Sequence, residues 1–145
     1  MKGRLGPTLA YLRGQAPYKA LAWTQDDRFF CMKTQGYLLW TVPRTGTYGI
    51  RAFGAASMAQ TREPSKGRAR YFGLGAIVYG EFALRAGDIL TLLCGQQPEQ
   101  SQYHGGSGGT FVCRGADKET CTPMLVAAGA GSHCYYNHSN PIPVL

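Results

Sequence analysis

From Gly36 to Gly131 short apolar runs alternate with turns built from Gly, Pro, Asp and Thr. Thr47–Phe53 has a period of two: Tyr48, Ile50 and Ala52 fall on one side, Thr47, Arg51 and Phe53 on the other. That alternation predicts a half-buried strand. Ala76–Leu84 repeats it, with Val78, Gly80, Phe82 and Leu84 on one face and Ile77, Tyr79 and Glu81 on the other. Four shorter apolar runs, Tyr37–Val42, Ile89–Cys94, Thr110–Cys113 and Met124–Ala128, complete a set of about six strands. The segment Pro43-Arg44-Thr45-Gly46 is a tight turn, because Pro presets φ and Gly tolerates positive φ; it predicts a hairpin between the first two strands. Arg85-Ala86-Gly87-Asp88 is a second turn, in which Asp88 is expected to bond its own backbone. The last two strands are expected to pair across residues 114–123. Turn signals every 8–12 residues without a convincing helix predict an all-β fold, an antiparallel β-sandwich or barrel.

The flanks lack this pattern. Residues 1–35 read as a basic, extended N-terminal arm with one short strand near Phe29–Met32; Lys19–Trp23 could make a turn of helix. Residues 132–145 read as an extended C-terminal tail with spaced prolines, leaving 36–131 as the glycine-rich domain. Residues 54–75 form a long loop rather than a regular element, since Pro64, Ser65 and Gly67 interrupt it. Loops of that length inside a domain are usually functional or disordered.

Composition sharpens the picture in two respects. The 145 residues suit one domain, and 17 of the 20 glycines stand at or after Gly36, which suggests close backbone approaches and not a linker. The net charge is +7, and no acid precedes Asp26. Such a balance favours acidic partners, whether protein, nucleic acid or membrane surface. No apolar run reaches the roughly 18–20 residues of a membrane helix. The basic N-terminus has no secretory apolar core. It reads as a tail that docks on a neighbour, in preference to a transit peptide, and tilts the expected setting towards an intracellular or organellar assembly.

The ordered series Trp40-x-Val42-Pro43-x-x-Gly46-x-Tyr48-x-Ile50-x-Ala52-x-Gly54-Ala55, Gly75-Ala76, Gly80-x-Phe82-x-Leu84-x-x-Gly87-Asp88-x-Leu90, Gly95-Gln96-Gln97, Gly108-Gly109-Thr110-Phe111-Val112 and Leu125–Gly129 resembles the glycine-rich extracellular domain of the anaplastic lymphoma kinase and leukocyte tyrosine kinase receptors. It covers about residues 36–131. The resemblance implies a sandwich of jelly-roll, tumour-necrosis-factor-like topology, protein-ligand binding without catalysis, and an extracellular setting. The long polyglycine inserts of those receptors are reduced here to Gly105-Gly106-Ser107-Gly108-Gly109.

Candidate chemistry is sparse, and no cofactor is expected. Gly105–Gly109 matches G-x-S-x-G, but a nucleophile elbow needs a strand before it and a helix after it; a polar loop and a strand are expected instead. Cys113, Cys121, Cys134 and His138 supply four zinc-ligand types at a spacing that fits no compact zinc knuckle. Cys113 and Cys121 also bracket a hairpin loop, as a disulfide would require in an oxidising compartment; free thiols packed as small hydrophobes are the favoured expectation. Arg62, Lys66, Arg68 and Arg70, with Tyr71 and Phe72 beside them, are the strongest binding candidates. They read as a solvated face, as a contact for protein or lipid headgroups, or as a nucleic-acid surface on which the aromatics stack. The chain is therefore expected to be a non-catalytic protein-binding or scaffolding module, a ligand-binding module or an accessory subunit of a larger assembly. Contacts are expected through the basic loop and the terminal arms, with nucleic-acid binding through residues 62–72 as the alternative.

Overall fold

The computed structural model describes residues 5–57, 73–98, 106–117 and 119–131. Seven strands form two antiparallel sheets: β1 (Phe30–Thr34), β2 (Tyr37–Thr41), β3 (Gly46–Phe53), β4 (Ile77–Leu84), β5 (Ile89–Leu93), β6 (Thr110–Arg114) and β7 (Thr122–Ala127). One sheet has five strands in the order β1-β2-β5-β6-β7; the other is the two-stranded ribbon β3-β4. The fold is an all-β sandwich, as the alternating pattern predicts.

One predicted pairing is wrong. β2 and β3 do not form a hairpin: β2 pairs with β1 and β5, and β3 pairs with β4. The Pro43–Gly46 turn instead carries the chain from one sheet to the other. A second crossing, Arg85–Asp88, lies beside it. Val42 donates its N–H to Asp88 O at 2.8 Å, Gly87 donates to Val42 O at 2.9 Å, and Ala86 donates to Thr45 Oγ1 at 3.0 Å. Asp88 Oδ2 does accept from a backbone N–H of its own turn, that of Arg85. Two tight corners, bonded to each other, thus replace the local hairpin.

The inward face of the five-stranded sheet is covered in two halves. Ala52 and Leu84 of the ribbon, with partly buried Ile50, Val78 and Phe82, close over Leu90, Val112, Leu125 and Ala127. The other half, Phe30 and Leu38, is covered by the N-terminal segment. Here the expected extended arm is corrected: residues 9–14 form a short helix α1 (Leu9–Gly14), followed by 3₁₀ turns at Tyr18–Ala20 and Ala22–Gln25. The Thr8 hydroxyl caps α1 by accepting from Tyr11 N–H, and Leu12 projects into the core. Such short pieces lack a sequence period, and packing rather than propensity holds them. The Ala16–Pro17 peptide is cis. The anticipated strand near Phe29–Met32 is β1, paired with β2, so the sheet extends across the boundary anticipated at residue 35.

Arg13 ties this segment down. Its Nε donates to Thr24 O at 2.7 Å, and its Nη2 donates to Phe30 O and Asp27 Oδ1, each at 2.8 Å. Aromatic rings run along the seam between the two halves of the core. Trp23 meets Phe30 edge-on at 5.6 Å and Trp40 at 6.5 Å, and Trp40 meets Tyr48 of the ribbon at 5.4 Å. Among the described residues no helix is long and apolar enough to cross a membrane.

The opposite end of the sandwich is built from backbone packed on backbone. A Cβ on Gly54 would overlap the Ala128 carbonyl, one on Gly75 the Gly54 carbonyl, and one on Gly129 the Ser107 carbonyl. Hydrogen bonds from Ala76 to Ala128 O, Ala55 to Gly108 O and Ala130 to Ala55 O join these segments. Thr110 Oγ1 bridges the sheets by donating to Phe53 O at 2.6 Å and accepting from Gly95 N–H.

Candidate functional site

The ribbon carries apolar side chains on the face it turns away from the core. Along β3 and β4 the residues alternate strictly, so Tyr48, Ile50 and Ala52 point inward while Thr47, Arg51 and Phe53 point out. Phe53 stands directly opposite Ile77, and Arg51 opposite Tyr79. Phe53, Ile77 and Tyr79 are 55%, 66% and 55% exposed, and Leu74, just before β4, is exposed too. Tyr79 is fixed in place. Its hydroxyl donates to Glu81 Oε1 at 2.8 Å, and the Arg51 guanidinium lies 5.9 Å from the ring centre. The bond to Glu81, and then burial, push the phenol's pKa above its ordinary value. Among the described residues both long edges of this ribbon lack a paired strand.

This face adjoins the feet of the basic loop. Ser57 N–H donates to Gly73 O at 2.9 Å and Gly73 N–H to Ser57 Oγ at 2.6 Å, so the chain is pinned where the loop leaves and returns. Arg62, Lys66, Arg68, Arg70, Tyr71 and Phe72 themselves lie outside the described residues.

The outward face of the five-stranded sheet holds a second feature. Two cross-strand rows run over it: Tyr37, Leu93, Phe111 and Val126, and Cys31, Leu39, Thr91, Cys113 and Pro123. The β6–β7 connection folds over the second row. Thr91 Oγ1 donates to Gly115 O at 2.6 Å, and Gly115 N–H donates to Ile89 O at 2.7 Å. That cover explains how Leu39 and Thr91 are buried on an outward face. Beside it lies a groove of about 360 Å³, bordered by Tyr37, Leu93, Phe111, Cys113, Glu119 and Cys121.

Cys113 and Cys121, which the sequence places around a loop, are brought together as neighbouring thiols, close enough for one to hydrogen-bond the other. Burial, and then that bond, raise the Cys113 pKa to about 11. Cys134 and His138, the other two residues of the zinc set, lie outside the described residues, and among those described no cluster of three or more His, Cys, Asp or Glu could hold a metal ion. Ser107 serves as a latch: its hydroxyl lies 2.6 Å from Ala55 O and 3.0 Å from Ala130 O. No helix follows it among the described residues; β6 does.

Sequence reasoning overlooked the ribbon face as a site. The signal was present, because Ile77, Tyr79 and Phe53 occupy the side of an alternating strand where polar residues are usual. No protein-family model matches the chain, and no curated protein matches its sequence.

Proposed function

We propose that this chain is a non-catalytic β-sandwich module that binds a protein partner, as a ligand-binding module or an accessory subunit of a larger assembly. The observation that carries the reading is the exposed row of Phe53, Ile77 and Tyr79 on the outward face of the ribbon. Contiguous apolar and aromatic surface of this kind, with an Arg in its midst, has the composition of an interface core. The basic residues 62–72 stand in the sequence between Phe53 and Ile77, so the partner expected is apolar with acidic groups near its contact. The resemblance to the receptor glycine-rich domain supports the same reading, and the jelly-roll, tumour-necrosis-factor-like topology belongs to it as a proposal.

The test is site-specific photocrosslinking of the full chain in cells, with a photoreactive phenylalanine analogue in place of Phe53 and, as control, in place of exposed Gln15. A discrete protease-sensitive adduct at position 53 and none at 15 is expected. Equal yields at the two positions, or no adduct at 53, would overturn the reading. A nuclease-sensitive adduct would replace it with the nucleic-acid alternative through Arg62, Lys66, Arg68 and Arg70, for which affinity must fall steeply with salt.

A further inference from the structure

We propose that Cys113 and Cys121 form a thiol–disulfide site, at which a small disulfide of the glutathione class reversibly converts the two thiols into an intramolecular disulfide across the β6–β7 connection. Its grounds are separate from the protein-binding reading.

The pair is built by the fold. Cys113 stands opposite Pro123 in the ladder, where the register shifts between Val112 and Cys113, and Cys121 lies just before β7. The two are diagonal neighbours on one face of a twisted hairpin, a relation that brings side chains within reach. Gly115 takes φ of +130°, and a Cβ there would lie 3.0 Å from Cys121 Cβ, so the connection returns tightly onto the strand. Asp117 holds it closed, its carbonyl accepting from Cys121 N–H at 2.9 Å and its Oδ1 from Glu119 N–H at 2.9 Å. The thiols are adjacent, both are half-buried, and both open onto the groove beside Phe111 and Tyr37. A small disulfide can enter such a groove.

The chemistry balances in two exchanges. The Cys121 thiol gives up its proton and attacks one sulfur of RSSR; the S–S bond breaks, and the departing RS⁻ takes up a proton as RSH. Cys113 then gives up its proton and attacks the Cys121 sulfur of the mixed disulfide, expelling a second RS⁻ that leaves as RSH. Two protein thiols are oxidised and one RSSR is reduced to two RSH. The raised pKa of Cys113 makes it the poorer first nucleophile, and its place beside Cys121 favours it in the second step, where the attacked sulfur is held next to it. Cys94 is exposed and Cys31 lies three strands away on the same face, so neither stands next to the pair.

The experiment equilibrates the full chain in buffers of graded reduced-to-oxidised glutathione ratio, traps free thiols with iodoacetamide and maps the peptides by mass spectrometry. Linked Cys113–Cys121 peptides lighter by two hydrogens are expected, with alkylation of both residues falling together by about tenfold or more and returning on reduction. In Cys113→Ser a glutathione adduct should persist on Cys121; in Cys121→Ser, Cys113 should carry about a tenth as much or less. Two separate glutathione adducts in the unaltered chain, or links from either residue to Cys31, Cys94 or Cys134, would overturn the site. Equal adducts in the two Ser variants would overturn the order of attack.

Discussion

The hydroxyl of Tyr79 occupies the space in which a side chain at Gly49 would begin: a Cβ there would lie 2.7 Å from it. The ring is laid across β3 because residue 49 has nothing to lift it, and in that position it meets both Arg51 and Glu81. The clash in Gly49→Ala is with the far end of a rotatable side chain. Stability should therefore change by less than about 1 kcal/mol by thermal melting, since the entropic gain of Ala in an extended segment offsets the displaced ring. The Tyr79 phenol should move back towards its ordinary pKa as it leaves Glu81.

Gly54→Ala should behave in the opposite way. The atoms in its path are the carbonyl of Ala128 and its neighbours, which are backbone and cannot rotate away. The loss expected by chemical denaturation is in the exceptional class, about 4 kcal/mol or more, or failure to fold.

Arg13 separates ion pairing from hydrogen bonding. Its partner Asp27 is 80% exposed, so Asp27→Asn should cost less than about 1 kcal/mol. Arg13→Met removes donors from the Thr24 and Phe30 carbonyls and should cost about 1–3 kcal/mol. Lysine should not rescue it, because one ammonium cannot reproduce the planar fork. Equal losses for Asp27→Asn and Arg13→Met in urea would refute this division.

Tyr79 gives a pH dependence. Its folded pKa is raised by Glu81, so the stabilisation is fully present below the unfolded tyrosine value of about 10 and fades as pH rises through the higher folded value. An NMR titration of labelled tyrosine should place Tyr79 above the ordinary range, and Glu81→Gln should bring it down.

Leu90 is fully buried beneath the ribbon, and Leu90→Ala should cost about 2–5 kcal/mol. Phe53→Asp and Ile77→Asp, on the ribbon's outward face, should each stay within about 0.5 kcal/mol of the unaltered chain, and Ile77→Asp should weaken capture by the photoreactive analogue at position 53.

Strand positions were legible because period two is local. The pleat sends Tyr48, Ile50 and Ala52 one way and Arg51 and Phe53 the other whatever else the chain does. The same logic located the Asp88 turn and the pairing of the last two strands. The thiol contact was half legible: the spacing of Cys113 and Cys121 implied a loop, and the bulge beside Val112 brought them together. The ribbon face was visible as an oddity of composition but acquired meaning only once its other side was seen to be the core.

By itself the chain's sequence determined an all-β fold, its turn chemistry and a cationic surplus, since these depend on sterics and charge within a few residues. Tertiary structure decided which strands are neighbours. Pro43–Gly46 is compatible with either a hairpin or a corner, and Tyr37–Trp40 is apolar on both faces, so nothing local says what should cover it. Docking of Leu12 over Phe30 and Leu38 on one half of the sheet, and of Ala52 and Leu84 on the other, settled the matter. Burial is gained between residues far apart in sequence, and that gain outweighs the local alternative.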